Sequence, residues 1–274
     1  MAKTVLITGA SSGIGRATAE VFLDDDWQVW ATARDVDDVA DLAERGCETA
    51  QLDVTNARHC ERVVDSVVSE AGRIDCLVNN AGYGKFGAVE DVSTADLQDQ
   101  FDVNVYGPHR LIRQALPHMR ARENGTIVNV SSVAGRLSLP GQGGYAASKF
   151  ALEGLSDALR VEARKFDVDV VVVEPGPVET NFEARAAEEL ADNDHTGAYD
   201  WLSRAHEDSR LAGVQDALSV TAGTVALTIR DAANASDPDP RYPVGEGAKM
   251  LLLARHVPAR WRDAAFGVIR KLTN

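Results

Sequence analysis

The chain of 274 residues is poor in lysine, cysteine and long apolar runs. No stretch approaches the ~18 consecutive apolar residues that a membrane-spanning helix needs, so no transmembrane segment is expected. The first residues lead directly into a strand pattern, without the basic and then apolar leader of an exported protein. The three cysteines (Cys47, Cys60 and Cys76) have no metal-ligand spacing. Their odd number, with no export signal, fits a reduced, cytoplasmic protein that binds no metal. Only six of the 28 basic residues are lysines, whereas aspartate outnumbers glutamate 26 to 16. The formal net charge of −14 leaves no electrostatic footprint for nucleic acid. Acid excess with little lysine resembles the surfaces of proteins from salt-loving organisms, which stay hydrated when salt screens their repulsion; the alternative is a merely acidic protein.

What is present starts with Thr4-Val5-Leu6-Ile7-Thr8, apolar enough for a strand buried on both faces. Gly9, Ser11, Ser12, Gly13, Ile14 and Gly15 form the turn that follows, and residues 16–23 continue at helical spacing. A strand that enters a helix through glycines directs unpaired N–H groups and the positive end of a dipole at one point, which suits a phosphate. Gly9 allows the turn, Gly13 lets a pyrophosphate approach, and Gly15 lets the helix pack close to the strand. The spacing departs from G-x-G-x-x-G, so the motif alone also fits an ordinary glycine-rich turn.

Strand and helix signals then alternate, as a parallel sheet covered by helices requires. Strands are expected at 28–33, 48–52, 75–79, 126–130 and 168–173, with a short last one at 241–244. Helices are expected at 36–45, 56–71, 94–121, 145–166 and 215–232, and in a tail from 246 to 272 broken near Pro258. Gly107-Pro108 either bends the long helix that carries Asn104 or marks a boundary in it. Residues 181–214 are rich in Ala, Glu, Asp and His and have no strand signal. A segment of that length beside a strand end is expected to be a substrate-binding lid within a single domain spanning 1–274, with Trp201 a candidate contact.

Tyr145 and Lys149 stand four residues apart and share a helix face. A phenol is a poor base near neutrality, but a neighbouring ammonium lowers its pKa, so the pair can exchange a proton with an alcohol or ketone oxygen. Ser132 follows a buried strand at the sheet edge where ligands bind, and it can donate to a developing oxyanion or simply cap a turn. Asn104 is a poor helix former, which points to a polar role.

Thr8-Gly9-Ala10-Ser11-Ser12-Gly13-Ile14-Gly15, Asn79-Asn80-Ala81-Gly82, Asn104, Ser132, Tyr145-x3-Lys149 and Pro175-Gly176-Pro177-Val178-x-Thr180 together resemble the short-chain dehydrogenase/reductase family. The resemblance covers residues 3–180 and implies a Rossmann-like doubly wound α/β fold, strand order 3-2-1-4-5-6-7, with helices on both faces. It implies an Asn104–Ser132–Tyr145–Lys149 tetrad. In it Ser132 positions a carbonyl, Tyr145 transfers a proton, Lys149 holds the nicotinamide ribose and Asn104 holds a water leading protons to solvent. Asn80, Ala81, Gly82, Pro175 and Gly176 would line the cofactor, Asp53 and Val54 would contact adenine, and Val178 and Thr180 would contact the carboxamide. It also implies a homodimer or homotetramer through the helices at 94–121 and 145–166.

The end of strand two separates NADP from NAD. Arg34 stands where an NAD-preferring enzyme tends to carry an acid, and a guanidinium matches a 2′-phosphate, with Ser11 as a further donor. Asp35 and Asp37 keep NAD as the alternative. Arg241-Tyr242-Pro243-Val244-Gly245 and Leu251 to Pro258 resemble the branch that includes 17β-hydroxysteroid and retinol dehydrogenases, which implies a bulky apolar alcohol or ketone. The last segment combines Trp261, Phe266, Val268 and Ile269 with Arg260, Arg262, Arg270 and Lys271; it packs over the cleft or meets a membrane surface. Two rivals remain. Sugar-nucleotide epimerases share Tyr-x3-Lys but need a larger C-terminal domain, and cofactor-sensing regulators usually lose the Tyr or the Lys.

Overall fold

The structure, a computed structural model, describes residues 2–179, 188, 196–211 and 219–273. Seven strands form one parallel sheet in the order β3-β2-β1-β4-β5-β6-β7, as expected. They are β1 (Thr4–Thr8), β2 (Gln28–Ala33), β3 (Glu48–Gln51), β4 (Cys76–Asn79), β5 (Gly125–Val130), β6 (Val168–Pro175) and β7 (Arg241–Val244). The helices are α1 (Gly13–Asp24), α2 (Ala40–Glu44), α3 (Ala57–Ala71), α4 (Thr94–Phe101), α5 (Gly107–Ala121) and α6 (Gly143–Ala163). They continue with α7 (Asp200–Leu211), α8 (Ala222–Asn234), α9 (Glu246–Leu253) and α10 (Ala259–Thr273).

The period-two alternation of the strands divides the core into two layers. Val5, Ile7, Val29, Ala31, Val78, Val128 and Val171 point to one face, where α1 contributes Phe22 and α8 contributes Val225 and Ile229. Leu6, Trp30, Leu77, Ile127 and Val170 point to the other, against Val63 and Val67 of α3 and Leu111 and Met119 of α5. Both faces being covered is why the strands read as continuous apolar runs.

The helix expected over 94–121 is interrupted. Asp102–Tyr106 form a π-helical turn, and α5 restarts at Gly107 with Pro108 in its first turn. A Cβ at Gly107 would lie 2.8 Å from Val54 Cγ2, so close packing requires glycine there. Proline brings no N–H to continue the ladder. Helix α8 begins at Ala222, after an isolated bridge between Val178 and Val220.

Asp75 closes the opposite edge of the sheet. Its carboxylate accepts from Thr4 N at 2.8 Å and pairs with Arg73 and, at 3.2 Å, with Arg122. Among the described residues, no helix is long and apolar enough to cross a membrane, and no group of three His, Cys, Asp or Glu is arranged to hold a metal ion.

Candidate active site

A parallel sheet collects the C-terminal ends of its strands along one edge, and a cleft of about 820 Å³ opens there. It is lined in strand order: Arg34 after β2, Gly9 to Ile14 after β1, Asn80 to Gly82 after β4, Ser132 after β5, and Pro175 to Val178 after β6. Asp53, Val54, Tyr145 and Lys149 line it as well.

The glycine turn is shaped by close approach. Gly9 and Gly13 take φ of +69° and +55°, a region that disfavours side chains. A Cβ at Gly15 would lie 2.2 Å from Gly9 O, so no residue with a side chain fits in the first turn of α1 at that position. Asn80 ties the turn to the end of β4: its Nδ2 donates to Thr8 O at 2.9 Å and Gly9 O at 3.1 Å. Thr8 Oγ1 in turn accepts from Asn80 N and Ala81 N, both at 2.9 Å. This cradle and the N-terminus of α1 fit a dinucleotide's phosphates.

Arg34 is exposed at the cleft and ion-pairs with no carboxylate among the described residues. The neighbouring acid is occupied, since Asp35 caps the 3₁₀ turn Val36–Val39 by accepting from Asp37 N at 3.1 Å. Asp53 accepts from Thr55 N and Thr55 Oγ1 at 2.9 and 2.8 Å.

The buried Asn104 sits in the π-helical turn. Its Nδ2 donates to Tyr83 O at 2.8 Å and Ser148 Oγ at 3.0 Å, and its Oδ1 accepts from Tyr83 N at 3.1 Å. It thereby pins the loop after Gly82 to α6, the helix that carries Tyr145 and Lys149. A Cβ at Gly82 would meet Asn104 Oδ1 at 3.0 Å and Lys149 Nζ at 3.6 Å. Ser132 does cap a turn, accepting from Ala134 N at 3.2 Å, yet its hydroxyl also reaches Tyr145. The turn-cap reading of Ser132 holds, and the same hydroxyl lies within reach of the Tyr145 phenol.

Tyr145 departs from the sequence expectation. Burial pushes its pKa up to about 12, against a hydrogen bond from Ser132 that works to lower it. Burial also brings Lys149 down to about 8, with Glu153 opposing. The Lys149 ammonium is 5.8 Å from the Tyr145 ring centre and donates to Val130 O at 2.9 Å. Desolvation therefore outweighs the cation in this chain, because both groups lie in the same dry wall.

Sequence reasoning missed several residues. Phe86 and Leu137, in the loops after β4 and β5, line the cleft, as do His206 of α7 and Leu251 of α9. Their position beyond strand ends was the available signal; their loops have no period to read. One turn beyond Lys149, buried Glu153 joins a charge network: Arg241 Nε lies 3.1 Å from Glu153 and 3.4 Å from Glu174, and Arg136 pairs with Glu174 at 2.7 Å. Leu202 of α7 is buried in a cluster with Phe86 and Tyr145, while Trp201 packs against that cluster and His206 is the α7 residue facing the cleft. Thr180, with most of the segment before residue 196, lies outside the described residues.

The tail also differs from simple packing over the cleft. Phe266 is half-buried, but Trp261 is 74% and Val268 57% exposed.

Comparison with known proteins gives the same assignment. The chain is 35% identical to the probable short-chain type dehydrogenase/reductase VdlC of Helicobacter pylori, over 96% of each chain. It is 39% identical to retinol dehydrogenase 8 of Bos taurus, over 71% of this chain and 65% of that one. The structure of ElxO with NADP bound superposes with a TM-score of 0.76 at 26% identity, covering 91% of this chain and all of that one. The family described as short chain dehydrogenase matches residues 3–191, and the chain belongs to that family.

Proposed function

We propose that the protein is an NADP-dependent oxidoreductase that interconverts a bulky, apolar alcohol with its carbonyl compound. The observation that carries this reading is one cleft holding both Arg34, with no carboxylate partner among the described residues, beside the glycine cradle and the Ser132–Tyr145–Lys149 group. The NADP of the similar ElxO structure supports the cofactor. The 2′-phosphate would be gripped by Arg34 with Ser11, the pyrophosphate by the turn from Gly9 to Gly15, and the adenine by Asp53 and Val54. Asn80, Ala81, Gly82, Pro175, Gly176, Val178 and Thr180 would border the remainder. When bound, the nicotinamide supplies or accepts the hydride.

Ser132 donates to the substrate oxygen and fixes it beside the Tyr145 hydroxyl. Tyr145 gives that oxygen its proton during reduction and takes it back during oxidation. Lys149 holds a ribose hydroxyl and favours the ionised phenol. Asn104 keeps the loop at Tyr83 against α6, and its Oδ1 can hold a water that returns the proton. Phe86, Leu137 and Leu251 provide the apolar wall, and residues 181–214 act as a lid over it within one domain spanning 1–274.

Three broader readings accompany this one. The free, buried cysteines fit a cytoplasmic protein. The acidic surface is halophilic. Exposed Tyr106 before α5, with Phe150, Leu155 and Val161 on α6, supports a homodimer or homotetramer through those elements.

The test is turnover of a panel of ketones, aldehydes and alcohols with each nicotinamide cofactor. NADPH-dependent reduction is expected, and Tyr145→Phe should lose ~100-fold or more of it while still binding cofactor. Near-normal turnover in that variant, or no turnover of any substrate by the parent, would refute the assignment.

A further inference from the structure

The charge of this chain is unevenly placed. Residues 1–247 carry 41 acids against 22 bases, whereas residues 248–274 carry six bases and one acid, Asp263. The same terminal segment leaves its large apolar side chains in solvent: Met250 is 62% exposed, Leu253 68%, Trp261 74% and Val268 57%, with Val257 in the turn between the helices at 40%. At 100° per residue, Trp261, Ala264, Ala265 and Val268 share one face of α10, and Arg260 and Lys271 stand together on its flank. The half-buried Arg262 and Phe266 lie toward the opposite side, so α10 rests on the protein by that side and presents Trp261 and Val268 to solvent.

We propose that this face of α9 and α10 docks the protein on a membrane surface bearing anionic lipid headgroups. An exposed apolar stripe with a tryptophan, bordered by arginine and lysine, sinks its apolar side chains at the headgroup boundary while the cations meet lipid phosphates. Charge selects this occupant over a second copy joined symmetrically, because an isologous contact sets Arg260 and Lys271 against their own copies. The lipid's anionic surface is complementary, whereas it would repel the rest of the molecule, which orients the docking. Leu251, on the same helix as Met250 and Leu253, lines the cleft, so the docked face adjoins its mouth. Docking does not depend on the reaction assigned above.

The test is flotation with vesicles of phosphatidylcholine alone or with about a third phosphatidylglycerol, in the lowest KCl that keeps the circular dichroism native. At least ~10-fold more protein should float with the anionic vesicles. Trp261→Ser combined with Val268→Ser, and separately Arg260→Gln combined with Lys271→Gln, should each lower that fraction ~10-fold with unchanged circular dichroism. No flotation, equal flotation on neutral vesicles, or undiminished flotation of the folded variants overturns the proposal. So does a light-scattering mass that falls in the Trp261→Ser variant, which would show that a second copy covers the face.

Discussion

On the proposed function, single side chains set the cofactor preference and the pH range. Arg34 has its guanidinium at the cleft and no carboxylate partner among the described residues, while Asp35 is spent on a cap. Arg34→Ala should therefore raise KM for NADPH at least ~10-fold and leave KM for NADH nearly unchanged. Equal effects on both cofactors would make Arg34 structural. The same wall sets the pH response. Lys149, brought down to about 8, sheds its proton as pH rises, whereas Tyr145, pushed up to about 12, keeps its own. The profile of kcat/KM reports groups of the free protein, so reduction should hold from about pH 6 to 8 and then fall toward tenfold per unit. A profile flat to about pH 10 would remove Lys149's charge from the reaction.

At the scale of elements, Asp75 joins β1 to β4 far from the cleft, through Thr4 N and the two arginines. Burial works to raise its carboxyl, but the hydrogen bond from Arg73 and its other donors hold it below the ordinary value. A depressed folded pKa stabilises the fold above the unfolded value near ~3.9, and that contribution is lost as pH falls through the folded one. Asp75→Asn should cost about 3 kcal/mol in urea unfolding at neutral pH and should flatten the loss of stability in acid. Its KM values should not change. If stability is unaltered, the ion pairs are compensated elsewhere and Asp75 is not the clasp of this edge.

For the whole molecule, the balance of 42 acids against 28 bases governs stability in dilute buffer. Repulsion acts over ~30 Å at 0.01 M salt and over ~3 Å at 1 M. If the surface is halophilic, Tm should climb steeply from dilute buffer to ~2 M KCl, and the protein should lose its fold when salt is removed. A flat melting series would show an acidic but salt-indifferent protein.

The buried strands and the glycine cradle were legible in the sequence because each depends on local chemistry, whereas the sheet order and the grouping of Ser132, Tyr145 and Lys149 came from the resemblance to the family. Buried parallel strands need unbroken apolar runs, and the close contact of Gly15 with Gly9 O admits no side chain. The split of 94–121 was half legible: Gly107-Pro108 marked the place, but the close approach of Val54 to Gly107, beside the π-helical turn, comes from across the fold. Three features only the tertiary structure decided. Burial reversed the expected shift of Tyr145, since desolvation depends on every neighbour and not on a residue four positions away. Glu153 of α6 meets Arg241 of β7, which also meets Glu174 of β6, and the three lie far apart in the chain. The face of α10 that meets water was set by what the helix rests on, because an amphipathic pattern states that two faces exist without stating which one the protein covers.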